Sequence, residues 1–211
     1  MGVMRIIESE ACIAEGVAWL VEKEASFGKV LALTGPPPLR RREHGFGALL
    51  AAIVSQQLSV AAADSVWKRL ESEGLTDEAA IRAADEMALR GCGLSGQKVR
   101  YAKALSESRT DFAAFGNWPD EDIVAELTRI PGIGRWTAEI YVMFALGRAD
   151  VFAAGDLALR ESARLLFDLP SRPPERELAS MALAWSPWRT VAAGLLWSYY
   201  RHAKNREGIR S

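Results

Sequence analysis

The sequence predicts an all-α protein on three observations. Apolar residues recur at helical spacing along nearly the whole chain, helix-capping residues stand at the heads of those stretches, and no alternating run of β-branched residues is long enough to make a strand. At 211 residues with 49% hydrophobic side chains, the chain can bury a substantial core as one domain or as two lobes sharing a core. Its apolar runs fall short of the roughly 20 residues that a membrane span needs, and its first ten residues carry charge without a long apolar stretch. The expectation is a cytoplasmic protein with no membrane association.

The elements follow in order. Ile13, Val17, Leu20 and Val21 predict one helix over about 6–29, closed by Gly28, with a clear break at Gly35-Pro36-Pro37-Pro38. Phe46, Leu49, Leu50, Ile53 and Val54 mark the apolar face of the next helix. Its Ala48, Ala51, Ala52 and Ser55 form a small-residue face suited to close helix packing. Ser59 is an N-cap for a helix striped by Ala63, Val66, Trp67 and Leu70 that ends before Gly74. Helices over about 77–90 and 95–107 come next. Pro119-Asp120-Glu121-Asp122 opens another, with acidic residues where the helix dipole favours them. Residues 136–146 are apolar nearly all round, as in a helix at the centre of a globule, and the helix from Trp188 is similar. The stretch from Asn205 on reads as a loose tail. Trp19, Trp67 and Trp185 read as core packing. Trp197 differs, because at about 100° per residue it projects opposite Trp188.

Composition bounds the chemistry. A net charge of −1 excludes a globally basic nucleic-acid binder, so any DNA contact must use a local surface. Cys12 and Cys92 are too few for a four-thiolate iron–sulfur or zinc site and read as buried, reduced thiols; no cofactor and no side-chain metal site is expected.

Ile130-Pro131-Gly132-Ile133-Gly134 lies between two helical patterns and reads as a tight hairpin, its glycines supplying conformations that other residues resist. The helix that follows begins with N–H groups lacking helical partners, a place where a phosphate can bind, with Arg129 and Arg135 nearby. Read alone, this segment is either an ordinary helix–helix turn or a sequence-independent contact to a nucleic-acid backbone. Asp156 before Leu157-Ala158-Leu159-Arg160, read alone, is a helix N-cap.

Leu127-Thr128-Arg129-Ile130-Pro131-Gly132-Ile133-Gly134-Arg135-Trp136-Thr137-Ala138 closely resembles the hairpin motif of the helix-hairpin-helix DNA glycosylases. Its Arg-Trp-Thr-Ala end resembles the 3-methyladenine DNA glycosylase II branch. Ala52-Ile53-Val54-Ser55-Gln56-Gln57-Leu58-Ser59, Gly93-Leu94-Ser95, Asp150-Val151-Phe152 and Trp185-Ser186-Pro187-Trp188-Arg189 match in the same order.

The resemblance implies a two-lobed helical domain with a cleft between lobes, lobe A at about 45–118 and lobe B at about 1–44 plus 119–205, with 206–211 as the tail. It implies a short form without the N-terminal β domain of larger relatives. It makes Asp156 the catalytic carboxylate. Trp136, Trp197, Ile140 and Phe46 become base-pocket positions, with Ile140 standing where the family has a second aromatic. Gln56, Gln57, Pro131, Gly132, Ile133, Gly134, Arg135 and Thr137 become DNA contacts, with Gln57 at the position that fills the gap left by a flipped base. The carbonyls of Ile130 and Ile133 become candidates for a monovalent cation. The lyase branch has a Schiff-base lysine where this chain has Trp136, so base release without strand nicking is implied. The implied partner is double-stranded DNA carrying alkylated bases, bound by a monomer. A DNA-binding module without chemistry and a glycosylase for other damaged bases remain as alternatives.

Overall fold

The computed structural model describes residues 4–207, and its element order is all helical. In chain order the helices are α1 (Glu10–Lys23), α2 (Ala25–Thr34), α3 (Phe46–Ser55), α4 (Val60–Ser72), α5 (Glu78–Ala83), α6 (Glu86–Gly91) and α7 (Gly96–Glu107). After a 3-10 turn at Phe112–Asn117 come α8 (Asp120–Thr128), α9 (Arg135–Phe144), α10 (Leu157–Leu166), α11 (Glu175–Ala182) and α12 (Arg189–Glu207). Among the described residues the one extended pairing is an isolated antiparallel bridge between Ile6 and Arg148.

The chain folds as two compact units, one made of residues up to 41 together with those from 147 on, the other of Arg42–Leu146. The sequence-based boundary near 118 therefore differs from the observed one. The hairpin and both its helices belong with α3 to α7, because α9 packs on α3 and α8 and its Tyr141 hydroxyl accepts the Gly45 N–H at 2.9 Å. Burial pushes the Tyr141 phenol up to about 12 against the opposing effect of that backbone bond, so it stays a neutral strut.

In the middle unit Leu49, Leu50, Ile53, Leu70, Ile81, Leu105 and Leu127 are fully buried. Each is worth roughly 1.5–3 kcal/mol relative to exposure. The cap expected at Ser59 is present, its Oγ accepting from Ala62 N at 3.3 Å, and Ser95 caps α7 in the same way, accepting from Lys98 N at 3.3 Å. The small-residue face of α3 does not close on another helix. Ala48, Ala51 and Ser55 instead line an open groove of about 580 Å³ with Ala63 and Trp67 of α4, so Trp67 is only half-buried. The helix expected over 77–90 is two helices, since Ala84 is extended and Asp85 caps α6 by accepting from Ala88 N at 2.7 Å. A second capping Asp, eight residues after Asp77, was the missed signal.

In the terminal unit, the helix expected over 6–29 breaks at Glu24. Glu24 turns extended, and its side chain accepts the Ser26 N–H at 3.0 Å; Gly28 lies inside α2, which Gly35 ends at φ +70. Periodicity misses a break that contains neither glycine nor proline. Phe27, Phe167, Phe152 and Trp185 form one aromatic cluster with centroids 5.4 to 6.4 Å apart, so Trp185 is core as expected, whereas Trp19 is half-buried. Cys92 is buried and Cys12 is only half-buried. The helix α12 continues through Asn205 to Glu207, and the rest of the expected tail, 208–211, lies outside the described residues.

One clamp joins two of the matched segments. The Asp150 carboxylate takes Arg189 Nε on Oδ1 and Ser186 Oγ on Oδ2, both at 2.7 Å, while Arg189 also donates to the Asp150 carbonyl at 2.6 Å. Thr190, buried at the first turn of α12, donates its hydroxyl toward the Arg148 and Val151 carbonyls at 2.7 and 2.9 Å. Partial burial raises the Asp150 carboxyl, but the Arg189 guanidinium and the Ser186 hydroxyl outweigh it and hold it below the usual carboxylate range. A depressed folded value contributes stability that is present above the unfolded carboxylate range and is lost as pH falls through the folded one. Asp150→Asn should therefore cost about 1–2 kcal/mol near neutral pH, a figure kept low because the pair is about a third exposed. The gap between wild type and variant in urea midpoint should shrink on acidification to about pH 3. An equal gap at both pH values would remove the clamp's electrostatic role.

Candidate nucleic-acid interface and carboxylate

The hairpin is built from two glycines with different duties. Gly132 has φ +93, and a Cβ there would fall 2.3 Å from Cγ of Tyr101, so only glycine fits between the turn and the α7 tyrosine. Gly134 was expected to share that need and does not. Its φ of −83 and ψ of 166 are ordinary extended backbone, and a Cβ there would meet no atom within 4 Å. Gly134 is the N-cap of α9 and brings no side-chain acceptor; helical bonding starts with Ala138 N–H to the Gly134 carbonyl at 3.0 Å. The N–H groups of Arg135, Trp136 and Thr137 precede that bonding, and at Gly134 an incoming group meets no side chain.

Gln56, which the resemblance makes a DNA contact, reaches the hairpin. Its Nε2 donates to the Gly132 carbonyl at 2.9 Å, tying the end of α3 to the turn. Gln57, next to it, is exposed and sits at φ +56, a left-handed conformation that a residue with a Cβ adopts at a cost of about 1–2 kcal/mol. Pro131 is exposed, while Ile130 and Ile133 are buried and anchor the turn. The Ile130 carbonyl accepts the Ile133 N–H at 3.0 Å, which leaves it one lone pair; backbone carbonyls of this kind are the donors a monovalent cation takes. Thr137 is buried under the first turn of α9, so what it can offer a ligand is its backbone.

The arginines are more committed than their positions suggest. Arg135 pairs with Glu139 at 2.8 Å and with Glu121 at 3.1 Å, and Arg129 pairs with Glu126 at 2.7 Å. Much of the local positive potential thus comes from the backbone at the helix start. Sequence reasoning missed the side chains of α7 that share this surface. A concavity of about 450 Å³ beside the hairpin is walled by Gln56, Gln57, Gln97, Lys98, Tyr101 and Gly134, among others. Lys98 donates to the Val54 carbonyl at 2.6 Å, and burial holds its ammonium below the usual lysine range. The signal was available: Ser95 in the matched Gly93-Leu94-Ser95 caps α7, which places residues 97, 98 and 101 on one side of its first turns.

On α9, Trp136 is 49% exposed and Ile140, one turn on, is half-buried; this face, unlike the expectation of a helix sunk on all sides, is not covered within its own unit. Phe46 is buried at the first residue of α3.

In the terminal unit Asp156 stands at the N-cap of α10. Its Oδ1 accepts from Ala158 N at 2.8 Å and Leu159 N at 3.0 Å, while its own N–H bonds the Ala153 carbonyl at 3.0 Å. Leu157 beside it is 62% exposed. Helix α10 packs on α12, with Ser162 Oγ donating to the Leu196 carbonyl at 2.7 Å, so half-buried Trp197 and Asp156 lie on paired helices of one unit. Among the described residues, no three His, Cys, Asp or Glu side chains gather where they could hold a metal.

Residues 50–189 match the model of the HhH-GPD superfamily of base excision DNA repair proteins. The chain is 32% identical over 174 residues to DNA-3-methyladenine glycosylase 1 of Schizosaccharomyces pombe, covering 77% of this chain and 75% of that one. Among solved structures it is similar to a DNA-3-methyladenine glycosidase of Bacillus halodurans, with a TM-score of 0.81 and 29% identity over 96% of this chain and 95% of the other. It is likewise similar to a 3-methyladenine DNA glycosylase of S. pombe in complex with abasic DNA, with a TM-score of 0.75 and 29% identity over 87% of this chain and 95% of that one.

The two glycines yield opposite expectations. Gly132→Ala should cost about 2 kcal/mol or more in urea unfolding, through its positive φ and the Tyr101 contact. Gly134→Ala should leave stability within about 0.5 kcal/mol. Equal losses at the two positions would show that the hairpin is not held as described.

Proposed function

This chain belongs to the HhH-GPD superfamily of base excision DNA repair proteins, and from that premise we propose that it is a monofunctional DNA glycosylase that excises alkylated purines from double-stranded DNA. What carries the reading is the Asp156 carboxylate, held at the head of α10 by two backbone N–H groups next to an exposed leucine. Cleavage of an N-glycosidic bond passes through an oxocarbenium-like sugar, and a carboxylate fixed beforehand stabilises the developing positive charge without reorganising when it forms. It also orients the water that attacks the sugar. Alkylation at N3 or N7 gives the purine a positive charge and makes it a good leaving group, so no second carboxyl group is required to protonate it.

The other parts have complementary tasks. The start of α9, free of side chain at Gly134, takes a backbone phosphate on its N–H groups and reads no sequence. Gln57, raised on its left-handed turn beside the hairpin, fills the gap that an extruded nucleotide leaves; backbone strain at this tip accords with such a duty. Trp197 in the terminal unit offers an aromatic face to a base, and in the middle unit Trp136 offers another, with Ile140 and Phe46 as apolar residues of α9 and α3. Trp136 has no amine for a Schiff base, so the product is an abasic site rather than a nicked strand. Gly134→Ala, neutral for folding, weakens duplex binding on this reading.

Asn caps a helix about as well as Asp, so Asp156→Asn isolates the chemistry from the fold. The variant should retain affinity for an abasic duplex while its release of 3-methyladenine and 7-methylguanine from methylated DNA falls by about 100-fold or more, judged by single-turnover base release. Release that survives the substitution would place the chemistry elsewhere. A wild-type protein that binds duplex and releases nothing from alkylated, oxidised or deaminated DNA would be a binding module only.

A further inference from the structure

The proline break between α2 and α3 is seated on α12. Pro37 is buried, and a Cβ on Gly194 would stand 3.0 Å from Pro37 Cβ and 3.3 Å from its Cγ, so the missing side chain at 194 admits the proline. Trp197 follows one turn along the same face of the helix. Three residues beyond Pro37, the guanidinium carbon of Arg40 lies 5.8 Å from the centre of the Trp197 ring. Pro36, Pro37 and Pro38 fix their own φ angles, so the arginine is delivered over the indole by a stiff segment rather than by a wandering loop.

An aromatic face attracts a cation through its quadrupole, and a guanidinium stacks there better than an ammonium. A positively charged purine seeking that face must displace Arg40 or lie beside a like charge; an uncharged purine meets no such repulsion and can accept hydrogen bonds from the guanidinium. We infer that Arg40 is a specificity-determining residue of the base pocket: held on Trp197, it occupies the place a cationic base would take and narrows the advantage that charged lesions would draw from that aromatic face over uncharged ones. This rests on the reading of Trp197 as a wall of that pocket.

The sign of the effect is the test, because removing a positive charge from a DNA-binding protein ordinarily lowers its activity. In single turnover with saturating enzyme, Arg40→Ala should raise the rate of 7-methylguanine release by roughly three- to tenfold, and Arg40→Glu by at least as much, while Arg40→Lys stays within about twofold of wild type. Unchanged or slower release in both charge-removing variants overturns the inference, and slower release with weaker duplex binding makes Arg40 a phosphate contact instead. A second measurement needs no catalysis: tryptophan-fluorescence titration with 1-methyladenosine, cationic at neutral pH, against adenosine. Arg40→Ala should tighten binding of the first relative to the second by a similar factor, and Trp197→Leu should abolish the difference. Equal ratios in wild type and Arg40→Ala overturn the inference even if base release is absent, whereas a wild type without Asp156-dependent release defeats the glycosylase reading and leaves this titration to decide on Arg40.

Discussion

The terminal unit depends on one shared carboxylate. Asp150 holds Ser186 and Arg189 on its two oxygens, and this fastens the segment that runs on to Asp156 against the start of α12, the helix that carries Trp197. Asp156, the α10 cap, stands six positions after Asp150, and Trp197 stands eight positions after Arg189. The clamp therefore sets the common frame of both side chains, and Thr190 repeats the connection with its hydroxyl on the Arg148 and Val151 carbonyls. In a partly dry setting such hydrogen bonds fix geometry more than they add net stability, which is what the proposed function asks of a carboxylate that would have to meet a sugar to within a fraction of an ångström.

On the proposed function the hairpin meets a different problem, that of gripping an anion on a molecule with a net charge of −1. Its flanking arginines are paired with Glu121, Glu126 and Glu139, so they shape the surface and limit its field. What faces outward is the start of α9 at a residue with no side chain. A dipole and a few N–H groups act over one turn only and are indifferent to base identity. A protein that samples much undamaged DNA gains from such a contact, since a broad basic face would hold it at every site with the steep salt dependence of many phosphate contacts.

How much of this was legible in the sequence follows the range of the interaction. Ser59, Ser95 and Asp156 announce helix starts within three residues of themselves, and each does accept the N–H its position promises. Gly132 was readable as a necessary glycine, but the reason, the Tyr101 ring from α7, is thirty-one residues away and leaves no local trace. Lys98 was within reach, since Ser95 caps the helix that carries it, but nothing local shows that its ammonium meets the Val54 carbonyl forty-four residues back. The breaks at Glu24 and Ala84 escaped for the opposite reason: they are local, but made by residues that are ordinary helix formers, with the cap supplied by Glu24's own carboxylate in the first and by that of the next residue, Asp85, in the second. The open groove beside Ala48 and Ala51 shows that a small-residue face permits close packing without compelling it.

Asp156 joins the two levels. A helix N-cap is among the most local devices in a protein, satisfied by donors two and three residues on, and its rotamer is fixed by them. A carboxylate placed in this way is oriented before any substrate arrives, so the ordering that catalysis requires has already been met by folding. Had the same aspartate stood in mid-helix, its rotamers would have been held only by tertiary neighbours, and a shift of the surrounding packing would have moved it. At the cap its position follows the backbone of α10, and α10 follows α12 through Ser162 and Leu196. On the proposed function, use of a fold-forming aspartate for chemistry would therefore carry little conflict between stability and activity, and the observed cap and the proposed reactive carboxylate would be two descriptions of one placement.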